Sequence, residues 1–292
     1  MMNKREELSR KAYYLAIRLY YDLYNELNYH RRSRKYLTFN EYKTLETYYH
    51  RFNFASIKYL AHSEARLLRH VVEKIVNSQQ TPKVLDAGCG LGSHAIFFSF
   101  LGADVVGVDL DEQRLNIARK RVKYYQEKYG RELNVKFYLK NILKFCEING
   151  FDIIWCNQAI SHIHPIEEFL AIAWRNLKEG GYLIICDSNS TNPYISFCTW
   201  LVHMKGGRYK LIEDPETHEL IPYARERLFT PPCLCNLLRK IGYTIELVEY
   251  HKFFPPHLNR LRFFRITDEV LSRVPFIRTV GTTYIVIARK NS

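Results

Sequence analysis

No stretch of this 292-residue chain is apolar for the roughly 20 residues that a membrane-spanning helix requires. The longest, Ile195 to Met204, reaches about half that length. Met1 to Arg10 is charged throughout and leads into no apolar run, so no signal peptide is expected. Clustered cysteines are missing too. The seven thiols are an odd number and scattered, and Cys233-Leu-Cys235 has one residue between its sulfurs and no second pair. That pattern argues against a metal site and against a disulfide framework, and it suits the reducing cytoplasm. Internal repeats and low-complexity tracts are absent. What is present is enough apolar material, 47% of residues, for a sizeable core.

Charge is uneven. The net value is +13. Residues 1–80 hold 15 Lys/Arg against 8 Asp/Glu, and residues 251–292 hold 8 against 2, while 81–250 balance at 20 and 20. The surplus cations flank the middle segment, as contact with an anionic partner or surface would require, although solubility alone explains them equally well.

Residues 4–77 read as helical. Tyr13, Ile17, Tyr20, Tyr24 and Leu27 form one stripe at three- and four-residue steps, a basic break lies at Arg31 to Lys35, and patterning resumes from Asn40 to Asn77. Ser78 to Pro82 is a linker, which divides the chain into a helical extension or lid (1–80) and a second domain (81–292). From Lys83 short apolar strands alternate with helices: strands at 84–85, 104–108, 134–139, 151–156 and 182–186, and helices at 93–101, 111–129 and 165–177, the last stopped by Gly180-Gly181. A helix at 232–240 and strands at 243–250 and 282–288 follow. Strands apolar along their length, alternating with helices, predict an α/β fold with a doubly wound, largely parallel sheet. Two insertions interrupt it, 188–230 and 251–280.

Val84-Leu-Asp-Ala-Gly-Cys-Gly-Leu-Gly92 places a glycine-rich turn between a strand and a helix. Gly88, Gly90 and Gly92 allow a sharp bend and close approach of a ligand at the carboxyl end of the strand. Their two-and-two spacing differs from the two-and-three of dinucleotide folds. Asp86 ends the first strand, and Asp109 ends the next, where a carboxylate can accept both hydroxyls of a ribose. An acid inside the turn disfavours a pyrophosphate and favours a cationic adenosyl ligand carrying a sulfonium and an ammonium.

On these residues, segment 83–187 resembles the core of the class I S-adenosylmethionine-dependent methyltransferases, and 81–250 with the last strand follows that family's element order. The resemblance implies a Rossmann-like, seven-stranded sheet with an antiparallel last strand and S-adenosyl-L-methionine as methyl donor. It implies that Asp86, Gly88, Gly90 and Gly92 hold the methionine part, that Asp109 takes the ribose, and that Leu110, Asn141 and Ile142 flank or read the adenine. It also implies that Asn157 offers its carbonyl to the donor's ammonium. The family usually has Asp where Asn141 stands.

The acceptor is less legible. His162 and His164, just past the fourth strand, are candidate general bases; a packed or capping loop histidine is the competing reading. Asn157-Gln-Ala-Ile lacks the Pro-Pro-aromatic motif of enzymes that methylate exocyclic base amines, and Cys156 follows Trp155 rather than Pro, unlike cytosine-carbon methyltransferases. A small-molecule or lipid-linked acceptor is therefore expected ahead of nucleic acid. RNA methylation through the basic flanks and a non-catalytic donor-binding regulator are the alternatives. Asn189 or Asn192 could bind the acceptor or serve only in turns. In 251–280, aromatics interleave with Arg260, Arg262 and Arg265, which suits a peripheral membrane contact or a cap helix with a packed Phe face. The expected location is cytoplasmic, with contact at the inner face of a membrane. The pattern gives no oligomeric state.

Overall fold

The computed structural model describes residues 4–49, 57–254, 258 and 261–291. Seven strands form one sheet. They are β1 (Lys83–Ala87), β2 (Asp104–Asp109), β3 (Val135–Leu139), β4 (Phe151–Asn157), β5 (Leu177–Ser188), β8 (Thr244–His251) and β9 (Thr283–Arg289), in the order β3-β2-β1-β4-β5-β9-β8. The first five are mutually parallel, and β9 runs antiparallel between β5 and β8. The order reverses between β1 and β4, which opens a crevice at their carboxyl ends.

Alternate strand residues feed two apolar layers, as period-two geometry requires. Val84, Val105, Trp155 and Ile285 face one layer, with α4 (Ser93–Phe100) and the N-terminal helices α1 (Lys4–Arg32), α2 (Phe39–Tyr48) and α3 (Ile57–Val76). Leu85, Val106, Ile154 and Val286 face the other, with α6 (Ile166–Asn176) and α8 (Pro231–Ile241). The N-terminal helices thus share a core with the sheet. α3 adds polar ties to β8 and β5: His70 lies 3.0 Å from Glu249, and the Lys74 ammonium sits 3.1 Å from the Tyr182 ring centre.

The basic break after Arg32 is where α1 ends, and Thr38 then starts α2 through a capping box with Glu41. The helical patterning expected over 40–77 corresponds to α2 and α3; residues 50–56, within that expectation, lie outside the described residues. α5 (Glu112–Tyr129) has Asp111 as its N-cap and is closed by left-handed Gly130. The helix expected to run to Leu177 stops at Asn176, before the glycines. Leu177 already pairs with Phe151, and the β4–β5 register then jumps to Ile153 opposite Tyr182, so the two glycines lie inside a bulged strand.

The insertion at 188–230 has regular structure: helix α7 (Pro193–Gly206) and an antiparallel hairpin of β6 (Tyr209–Glu213) and β7 (Leu220–Ala224). In 251–280 the regular helix is α9 (Arg262–Leu271). Pro255, Pro256 and Arg260 of the expected basic-aromatic run lie outside the described residues. The expected packed Phe face is only partial, since Phe263 is 70% exposed while Phe264 meets Phe254 edge-on.

Candidate functional site

The turn after β1 is strapped to β2. Gly88 and Cys89 donate their N–H groups to the Val108 carbonyl at 2.9 and 3.1 Å, and Gly90 donates to Asp109 Oδ2 at 2.8 Å. Gly88 has φ +74°, and a Cβ there would come within 2.7 Å of the Ala159 methyl in the loop after β4. Turn and loop therefore approach each other across the switch point with only a glycine between them.

Above this turn lies a cavity of about 530 Å³, within the range of small-molecule sites. One wall is the carboxyl edge of the sheet, with Gly88, Asp109, Leu110 and Ile142. The far wall is the hairpin, which contributes Lys210 and Tyr223, with Arg225 and Glu226 just after it. Tyr48, at the end of α2, and Arg114 close one side, with the guanidinium 5.6 Å from the Tyr48 ring centre.

The acids at the strand ends are not equivalent. Asp109 lines the cavity, and burial raises its pKa against hydrogen bonds from Gly90 and Asp111. Asp86 is 2% exposed and lies outside the lining. Its Oδ2 accepts the Ala95 N–H at 3.1 Å, and burial, reinforced by Asp109, pushes it up to about 7. Asp187, at the end of β5, is pushed up by burial to about 6 and accepts from the backbone of Ser161 and Ser188. Of the three, Asp109 is the one on the cavity wall, where a bound cation would favour its ionised form.

The predicted residues are sorted by this geometry. Gly88, Asp109, Leu110, Ile142 and His162 line the cavity together. Gly90 and Gly92 lie in the turn but outside the lining, Gly90 against the Tyr48 hydroxyl and Gly92 against Phe137 and Ala118. Asn157 ends β4 opposite Cys186, and the next two residues, Gln158 and Ala159, reach the cavity in its place. Gln158 does so with a left-handed φ of 53°. Asn141 is turned away. Its Oδ1 accepts the Leu143 N–H at 3.0 Å, and its Nδ2 donates to Asp214 of the hairpin turn at 3.2 Å. The carbonyl expected to meet adenine is thus engaged in a local cap. A carboxylate at 141 would face the buried Asp214, which accounts for the departure from the family's Asp.

The two histidines differ. His162 Nδ1 donates to the Ala224 carbonyl at 3.1 Å. Nε2 lies 3.7 Å from Glu226, and the ring stacks on Tyr223 with centres 5.1 Å apart. His164 lines an adjoining cleft, where its Nδ1 accepts from Arg227 at 3.1 Å. That bond occupies the lone pair a base would need. Asn189 and Asn192 are also outside the cavity. They donate to the carbonyls of Thr279, Gly281 and Val280, stitching the first insertion to the second.

Sequence reasoning missed Tyr48, Arg114, Gln158, Lys210, Tyr223 and Arg225. The hairpin residues carried no motif; only the location of 188–230 after the fifth strand pointed to them.

A ligand-binding, doubly wound α/β domain is what this fold and crevice define. Residues 78–220 match a family model described as a methyltransferase domain. The chain is 28% identical over 179 residues to a demethylmenaquinone methyltransferase of Tropheryma whipplei, covering 60% of this chain and 72% of that one. It is 29% identical over 161 residues to a ubiquinone biosynthesis O-methyltransferase of Roseobacter denitrificans, covering 55% and 59%. Its fold is similar to that of Haemonchus contortus phosphoethanolamine N-methyltransferase 2 in complex with S-adenosyl-L-methionine, with TM-score 0.52, 18% identity, and 76% and 52% of the chains covered. Residues 78–220 thus carry a methyltransferase domain with the class I fold, and the S-adenosyl-L-methionine of the Haemonchus complex is the methyl donor that such a domain would take. The residues present fit that group: a side-chain-free turn, a carboxylate with lone pairs facing the cavity, and apolar Leu110 and Ile142 beside it.

Proposed function

We propose that the enzyme methylates a small or lipid-linked acceptor held between the Gly88–Asp109 wall and the β6–β7 hairpin, with His162 as general base. The observation that carries this reading is the placement of Asp109 and His162 on one cavity, the first strapped to the glycine turn and the second held by the Ala224 carbonyl. Bound S-adenosyl-L-methionine would supply an activated methyl carbon whose displacement leaves a neutral thioether. The chain's own residues do the rest. Asp109 takes the ribose hydroxyls, Leu110 and Ile142 enclose the adenine, and Tyr48 with α2 acts as a lid. His162 Nε2 receives the acceptor's proton, while Asp187 positions the 160–162 turn through the Ser161 N–H. Holding nucleophile and methyl in line, away from water, accounts for most of the rate.

The relatives' names, one a demethylmenaquinone methyltransferase and one a ubiquinone biosynthesis O-methyltransferase, support an acceptor of quinone type. Among the described residues no helix is long and apolar enough to cross a membrane. A lipid-linked acceptor would instead be met at a surface: α9 exposes Phe263, Ile266 and Val270 beside Arg262 and Arg265, and α7, with no buried residue, exposes Phe197 and Trp200. All seven cysteines are free thiols, which suits a reducing compartment. The deciding experiment incubates the enzyme with methyl-labelled donor and a metabolite extract and identifies labelled products by mass. One labelled small or lipid-linked product is expected. Label confined to RNA, or donor bound but never consumed, would reject the reading.

A further inference from the structure

Four cations line the cavity, and they divide into two kinds. Arg114 is paired with Asp111 at 3.1 Å, and Lys140 with Glu216 at 3.1 Å. Lys210 and Arg225, both from the hairpin side, form no ion pair among the described residues. Arg225 Nε is buried and has no hydrogen-bond partner among the described residues. Its guanidinium lies against Gly206, where a Cβ would fall 2.1 Å from Nη1. The Lys210 ammonium rests 4.7 Å from the centre of the Tyr223 ring, which also stacks on His162. Among the lining acids, Glu226 is beside His162, and Asp109 is strapped to the glycine turn across the cavity.

An unpartnered guanidinium nitrogen out of water is costly unless a ligand supplies the acceptor. An ammonium on β6 and a guanidinium just past β7 form a pair that a carboxylate or phosphate can bridge. We propose that Lys210 and Arg225 form an anion subsite for the acceptor, so that the methylated substrate carries a carboxylate or phosphate group held on the hairpin while its nucleophile faces His162. This inference rests on the reading of the cavity as the methyltransferase site and adds the charge of the substrate. It also gives the hairpin a role, since the anion would dock the insertion over the bound acceptor.

The test uses the full chain saturated with S-adenosylhomocysteine. Phenyl phosphate and benzoate, each against its uncharged counterpart phenol or benzamide, are titrated by calorimetry at fixed ionic strength into wild type and into the Lys210→Gln/Arg225→Gln double variant. Wild type is expected to prefer at least one anion over its neutral counterpart by about tenfold or more, and the double variant to lose that preference. S-adenosylhomocysteine affinity and melting temperature should stay near wild type, showing that the donor half and the fold are intact. Preference for the phosphate or for the benzoate separates the two substrate classes. Equal binding of charged and neutral probes, or an anion preference that survives in the double variant, would overturn the subsite and leave the methyltransferase reading standing. Failure of wild type to bind S-adenosylhomocysteine would overturn both.

Discussion

The guanidinium of Arg121 on α5 grips the carboxylate of Glu26 on α1 through two parallel bonds of 2.6 and 2.7 Å, and neither side chain is more than 1% exposed. The remaining arm of Arg121 donates to the carbonyl of Leu91 inside the glycine-rich turn, and Tyr125 completes the carboxylate at 2.9 Å. One buried pair thus ties the N-terminal helix to the donor turn. Burial alone would raise the Glu26 carboxyl, but Arg121 outweighs it and holds it at about 2.

Removing one partner strands the other. Glu26→Ala is expected to cost about 3–5 kcal/mol in urea unfolding, because Arg121 is left charged and buried. The folded carboxyl lies below its ordinary value, so this contribution is present above about pH 4.5 and fades as pH falls toward 2. A loss under about 1 kcal/mol at neutral pH would show that the pair does not hold the helix.

Asp86 has the opposite sign. Its folded carboxyl is raised to about 7, so the native state holds a proton that the unfolded chain releases near pH 4, and stability falls as pH rises between those values. Asp86→Asn should flatten that decline and exceed wild type by up to roughly 3 kcal/mol near pH 8, with the gap closing toward pH 4. Melting curves across this range check it; parallel curves for the two proteins would refute the assignment.

His162→Gln should lower kcat by about 10²–10⁴-fold on the identified acceptor, with donor affinity unchanged. An unaltered kcat would remove His162 as the base. His164→Gln should change kcat far less, since its lone pair already meets Arg227.

Asn141→Asp, although it restores the residue the family usually has, should destabilise this protein by about 1–3 kcal/mol, since it sets a second carboxylate against the buried Asp214. Thermal melting measures this, and rescue by Asp214→Asn would locate the clash.

If α9 meets a membrane, Phe263→Ser/Val270→Ser should cut co-sedimentation with anionic vesicles by about tenfold or more while leaving donor affinity intact. Both side chains are more than half exposed, so the fold should tolerate the change.

Much of the sheet was legible because its strands are apolar along their length and end in turn residues, and the donor wall because Asp86, the glycines and Asp109 sit at fixed offsets along one strand–turn–helix–strand unit. The β6–β7 hairpin was not. Tyr209, Lys210 and Leu211 are all exposed, so β6 does not alternate toward a core, and the hairpin is tied down by Asp214 reaching Asn141 and Lys144 from 70 or more residues away. Tyr48 was hidden for a similar reason: its place over Gly90 follows from how α2 packs, which no local spacing encodes. The bulge at Gly180-Gly181 read as a helix stop because glycine marks both.

A crystal structure of the complex with S-adenosylhomocysteine tests the central claim most directly. The account predicts the ribose hydroxyls within hydrogen-bonding distance of both Asp109 oxygens, the adenine between Leu110 and Ile142, and the sulfur facing His162 across the cavity. A nucleoside bound elsewhere, or a phosphate-bearing ligand seated on the glycine turn instead, would contradict it.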